Sequence, residues 1–196
     1  MRQLSTLEIG SRLLVQGVVH RAAHRLIHGA SSESLVHDLL DHGARLLDSI
    51  AHHLLASRTD QREELIRQYL LTTLLLIVDD GLHTAIVAQG DGLIVIDDQV
   101  VELDHDNTPP YLAYRLLGQR VAPTFVTVRA SRELSRIALA SDGLDASLVP
   151  QLWGHQGRSL QRWLNVRALR EPLHDDTTVI VLERTNTTST RNESAS

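Results

Sequence analysis

Three acidic segments of this sequence stand where extended runs begin or end. Asp142 follows the apolar run Ile137-Ala138-Leu139-Ala140 within ASDGLDA, and Asp175 and Asp176 precede the run that starts at Thr178 within LHDDTTVIVLE. If those runs are antiparallel neighbours in a sheet, the end of one and the start of the other meet at one edge, and the carboxylates converge. Asp91, in the turn Gly90-Asp91-Gly92 after the extended run 83–88, can reach the same edge. Crowded carboxylates repel unless a cation or proton lies among them, and Mg²⁺ and Mn²⁺ favour all-oxygen ligands. A divalent-metal site is one reading. The other is that Asp-Gly and Asp-Asp are ordinary turn formers at strand ends.

The elements that would position these residues follow from periodicity. Leu7, Leu14, Val18, Ala22 and Leu26 recur at helical spacing, and Gly29 follows as a stop signal. A second helix starts near 31–34, where Ser and Glu occupy capping positions, carries Leu35, Leu39, Leu46, Ile50 and Leu54 inward, and fades around 57–60. The period then changes. Residues 69–78, rich in Leu and Thr, and 83–88 flank Asp79-Asp80-Gly81 and read as a β-hairpin; 93–96 and 100–103 follow, separated by Asp97-Asp98-Gln99. Three or four consecutive antiparallel strands, a meander, are expected. A polar loop covers 104–110, and 111–117 is a short helix or an irregular segment. Strands are expected at 125–129, 137–140 and 178–182, and helices at 144–153 and 159–166. Two helices, a meander, then strands alternating with helices indicate an α+β layered domain.

With 196 residues, the chain suits one domain. Residues 1–184 form it in this reading, and 185–196, with no apolar anchor, are expected to be a disordered tail. Without Cys there is no disulfide, thiolate nucleophile or Cys-ligated zinc, which fits a reducing, cytoplasmic setting. A net charge of −5 and scattered Arg residues argue against a nucleic-acid partner, and no apolar run is long enough to suggest a membrane partner. Arg158, Arg162, Arg167 and Arg170 read as a solvated helix face. No G-x-S-x-G, P-loop or G-x-G-x-x-G is present.

Taken together and in order, GDGLIVI (90–96), ALASDGLDA (138–146) and HDDTTVIVLE (174–183) resemble three signature blocks of the protein phosphatase 2C family. TTLLLIV (72–78) is similar to the family's strand before the glycine-aspartate turn, and LEIGSRLL (7–14) to the helix that, in bacterial members, follows the first Asp-Gly metal motif. The resemblance spans about 7–183. It implies a β-sandwich flanked by helices in four αββα layers, with two Mn²⁺ or Mg²⁺ ions at one end of the sheets. It further implies that Asp142 and Asp175 bind metal and that Asp91 belongs to a third, weaker site. Asp176, Gly143, Gly90 and Gly92 would stand beside the ligands and shape the site.

The reaction so implied is hydrolysis of phosphoserine or phosphothreonine monoesters by a metal-activated water, on phosphoproteins, opposing a Ser/Thr kinase. No covalent nucleophile is needed. Relatives also carry, ahead of that first helix, an Arg that grips the phosphate and an Asp-Gly whose carboxylate bridges the metals; this chain has neither. The expectation is thus a phosphatase-2C-like domain lacking its first strands, with weakened metal binding. Two readings stand: an incomplete version of an active enzyme, or an inactive pseudophosphatase that binds partners through an exposed sheet edge.

His20, His24 and His28 share a helical face at a spacing that could hold zinc, the basis of a metal-storage reading, set against a plain polar face. Trp153 and Trp163 read as packing residues, and His174 as a candidate proton donor only if it faces the metals.

Overall fold

The leucine and valine stripe of the N-terminal segment folds into helix α1 (Thr6–Ile27), and the next amphipathic run into α2 (Ser32–Leu55). The computed structural model describes residues 6–55, 61–106, 108–170 and 177–184. Ser31 caps α2 through its Oγ, which accepts from the Ser34 N–H at 3.3 Å. The two helices pack antiparallel, with Arg21 of α1 donating to both Asp38 carboxylate oxygens at 3.0 and 3.1 Å. That guanidinium holds Asp38 below the usual carboxylate range.

A third helix, α3 (Arg62–Tyr69), was not anticipated. Its pattern is mostly polar and only Ile66 is buried, so no apolar stripe announces it. Pairs at i,i+4 spacing hold it locally, Arg67 to Glu63 and Gln68 to Glu64.

Among the described residues seven strands follow: β1 (Leu74–Asp79), β2 (His83–Gln89), β3 (Gly92–Ile96), β4 (Gln99–Leu103), β5 (Phe125–Ala130), β6 (Arg136–Ala140) and β7 (Val179–Glu183). The expected single meander is corrected here. One sheet has the order β1-β2-β5 and the other β4-β3-β6-β7, all antiparallel, so β2 and β3 are consecutive without being paired. Gly90 and Asp91 carry the chain across from one sheet to the other.

The physical reason lies in burial. Ala85 and Val87 of β2 pack under the helices while Ile86 and Ala88 face the second sheet; Leu93 and Val95 of β3 face the C-terminal helices while Ile94 and Ile96 meet Ile86. Central strands covered on both faces become continuous apolar runs, and such runs do not reveal which sheet they join.

The result is the expected α+β sandwich in four layers. Helices α1, α2 and α3 cover one sheet, and α4 (Val149–Leu152) and α5 (Arg158–Arg170) cover the other. The single helix expected over 144–153 is instead a turn, a 3₁₀ segment (Ala146–Leu148) and the short α4, because Asp145 caps the chain at Ser147 N and Pro150 starts a new helix. Residues 112–117 form a 3₁₀ helix. Trp153 and Trp163 pack against the outer core, Trp153 beneath the Arg136 guanidinium at 4.6 Å.

Candidate metal-binding edge

The end of β2, the start of β3 and the end of β6 lie toward one pole of the sandwich, and the turns that hold Asp91 and Asp142 are there. β6 and β7 are antiparallel neighbours paired through Ala140↔Val179, the pairing that the convergence of the two segments depends on. Their bonding continues one residue further, with Ser141 N donating to Thr178 O at 3.0 Å and Thr178 N donating to Ser141 Oγ at 2.9 Å. Asp142 thus leaves the sheet beside the start of the β7 segment. Asp175 and Asp176, and His174 with them, lie outside the described residues.

Asp91 reaches the same edge from the other side of β6. Its turn is held open by two glycines in the left-handed half of backbone space, Gly90 at φ +105° and Gly92 at φ +141°. A side chain at either would also collide: a Cβ on Gly92 would sit 2.6 Å from the Ala140 carbonyl oxygen, and one on Gly90 2.7 Å from Thr73 Oγ1. Only glycine lets β3 run this close to β6 while the chain changes sheet. Gly143, directly after Asp142, is buried in the opposing turn.

Two residues that sequence reasoning did not single out complete the surroundings. His105 Nδ1 lies 2.7 Å from Asp91 Oδ1, with the Asp91 side chain only 14% exposed. Burial, and then the charges of Asp91 and of Asp142, push the Tyr111 phenol above its ordinary value. Both residues belong to the stretch joining β4 to β5. Their only signal in sequence was a His and a Tyr in an otherwise polar, Pro-containing loop, which periodicity cannot evaluate.

That stretch is fastened to the Gly-Asp-Gly turn. Gln89, fully buried at the end of β2, donates through Nε2 to the Pro110 and Ala122 carbonyls, and Thr124 Oγ1 donates to Gly90 O at 3.1 Å. Arg115 ties the same stretch to α2 through Asp41 at 2.9 Å.

The donor chemistry at this edge, carboxylate oxygens, suits a hard divalent ion. The number is short: among the described residues no group of three His, Asp or Glu is placed to hold a metal ion. Asp91 and Asp142 are the described carboxylates of the turns at this edge. The imidazoles of α1 lie elsewhere; His24 and His28 stack on each other at 4.3 Å on the exposed helix face, and His28 Nδ1 bonds the His24 carbonyl.

The opposite pole is closed by a different kind of contact. Asp79 accepts from Thr84, from Ser131 and from Arg184, tying β1, β2 and the end of β7 together. Among the described residues no helix is long and apolar enough to cross a membrane.

Known structures share this architecture. The Mycobacterium tuberculosis serine/threonine phosphatase PstP/Ppp is 20% identical, with 90% of this chain and 83% of that one covered at a TM-score of 0.54. The Staphylococcus aureus serine/threonine phosphatase Stp1 is 14% identical, with 91% and 78% covered at 0.56. PppA of Pseudomonas aeruginosa, a regulatory component of T6SS, is 17% identical, with 90% and 79% covered at 0.54. At these identities the likeness shows the fold. No curated protein sequence matches the chain. The family model for protein phosphatase 2C matches residues 5–175, a span that holds helices α1 to α5, strands β1 to β6 and the Asp91 and Asp142 turns. On that match, and with the sandwich and its acidic pole in the arrangement described, the chain belongs to the protein phosphatase 2C family.

Proposed function

We infer that the protein is a Mn²⁺- or Mg²⁺-dependent phosphatase acting on phosphoserine and phosphothreonine in cytoplasmic phosphoproteins, in opposition to a Ser/Thr kinase. The observation that supports this most directly is the antiparallel pairing of β6 with β7, in which the chain leaves β6 toward Asp142 beside the start of β7. Family membership supports the reaction class. A catalytic domain of PstP, 20% identical over 90% of this chain, has been crystallised with two manganese ions, which supports the metal.

In this reading Asp142 and Asp175 bind the catalytic metal and Asp91 belongs to a third, weaker cation site at the same edge. Once bound, a divalent cation supplies charge stabilisation at the phosphoryl oxygens and a water of lowered pKa. The residues of this chain do the rest. The Gly90-Asp91-Gly92 turn fixes one carboxylate in space, Gly143 keeps the Asp142 turn tight, Asp176 flanks Asp175, and His105 holds Asp91 through a hydrogen bond.

The test is hydrolysis of p-nitrophenyl phosphate and of a phosphothreonine peptide by the full chain, with Mn²⁺, with EDTA, and in Asp142→Asn. Activity that needs Mn²⁺ and Asp142 supports the reading; activity indifferent to both removes it.

A second reading, a partner-binding pseudophosphatase, has its own support. β7 is the edge strand of its sheet, and Ile180 and Leu182 on it are 49% and 46% exposed. An unpaired apolar edge accepts another strand. Inactivity of a folded chain with added Mn²⁺ favours this second reading.

A further inference from the structure

We propose that His105 is the positioning residue of the metal edge: it holds one oxygen of Asp91 so that the other is presented to the cation. This rests on the reading that Asp91 is a metal-site carboxylate.

The geometry carries the assignment. At 2.7 Å the Nδ1···Oδ1 contact is a full hydrogen bond, and the acid is largely buried while the imidazole keeps a partly exposed face. A carboxylate with one oxygen so engaged has a fixed rotamer and one oxygen left for a cation. Ligating carboxylates are themselves hydrogen-bonded in well-formed metal sites, and the partners that orient them tune affinity.

Both ends of the contact are held by backbone. Asp91 is fixed by its two left-handed glycines and by the close approach of Gly92 to β6. His105 starts a tight turn, its carbonyl accepting from both the N–H and the hydroxyl of Thr108 at 2.8 Å. The Gln89 bonds to Pro110 and Ala122 then keep that turn against the edge. A surface histidine that met Asp91 by chance would not sit in a loop that is turned back on itself at Thr108 and fastened beside the Asp91 turn through Gln89 and Thr124.

The contact is made through Nδ1, which sets a sharp test. An asparagine at 105 places its side-chain N–H₂ near the Nδ1 position, a glutamine does not, and an alanine supplies no donor. Mn²⁺ binding to the full chain is measured by calorimetry for the wild type, Asp91→Asn, His105→Ala, His105→Gln and His105→Asn, with thermal unfolding of each metal-free variant as a check on folding. The expected result is a loss of about 10- to 100-fold in Mn²⁺ affinity for Ala and Gln, the range for groups that orient a ligand, with most of it regained by Asn. Metal-free melting temperatures should stay close to the wild type.

Wild-type affinity in all three His105 variants, with Asp91→Asn weakened, overturns the role of His105 and leaves the metal site standing. Equal loss in Asn, Gln and Ala together with lowered melting temperatures overturns it too, showing a merely structural histidine. No Mn²⁺ uptake by the folded wild type overturns the metal-site reading itself, and the inference with it.

Discussion

Asp91 and Asp142 lie in turns at the same end of the β3–β6 pair, Asp91 just before β3 and Asp142 just after β6, whose last paired residues are Leu93 and Ala140. Both charges fall on Tyr111, which locates them at one edge of the sandwich. Carboxylates gathered at one end of a sheet are the donor type a hard divalent cation takes.

The first prediction follows from that pairing. Asp142→Asn should weaken Mn²⁺ binding by more than about 100-fold, beyond the range seen for residues that only orient a ligand. Calorimetry on the folded variant measures it, and unchanged affinity would remove Asp142 from the site.

Gly92→Ala should damage stability and site together. At φ +141° an L-residue is strained, and the new Cβ would push on the Ala140 backbone. The strain alone should cost about 1–3 kcal/mol in chemical denaturation. Displacement of β6 should also reduce Mn²⁺ affinity, and a variant as stable as wild type would show that the turn is looser than described.

Asp80 supplies a pH dependence. Hydrogen bonds from the backbone N–H groups of His83, Ser32 and Leu82 hold its carboxyl well below the usual range. A carboxyl depressed in the folded state adds stability above its unfolded pKa, about 3.9, and loses it as pH falls through the lower folded value. Asp80→Ala should therefore destabilise at pH 7, and its deficit relative to wild type should shrink as pH drops below about 4. Denaturation curves at pH 7, 5 and 3 check this; a deficit constant across them would contradict it.

Ile94 sits fully buried between the sheets, in the cluster with Ile86, Ile137 and Leu139. Ile94→Ala should cost about 2–5 kcal/mol from lost transfer energy and the cavity left behind. Because its neighbour Leu93 faces the other layer, Leu93→Ala should loosen α4 and α5 instead, which amide exchange can resolve.

The amino-acid sequence alone determined the helices α1 and α2, the Asp80 hairpin, the order of strands and the fact that Asp142 ends one. Those are local matters: periodicity, glycine stops and turn residues act within a few positions and need no partner. It could also place the β6 end beside the β7 start, on the condition that the two pair, and they do.

Only the tertiary structure decided which sheet each strand joins. Leu93-Ile94-Val95-Ile96 is apolar on both faces, so its pattern is the same whether it pairs with β2 or with β6. Helix α3 escaped for the opposite reason, since a polar helix held by i,i+4 pairs carries no stripe. His105 and Tyr111 come to Asp91 across a long loop whose path is set by Gln89, a residue that sequence places merely at a strand end. Contacts between segments far apart in the chain depend on how the layers stack, and that is a property of the packed core as a whole.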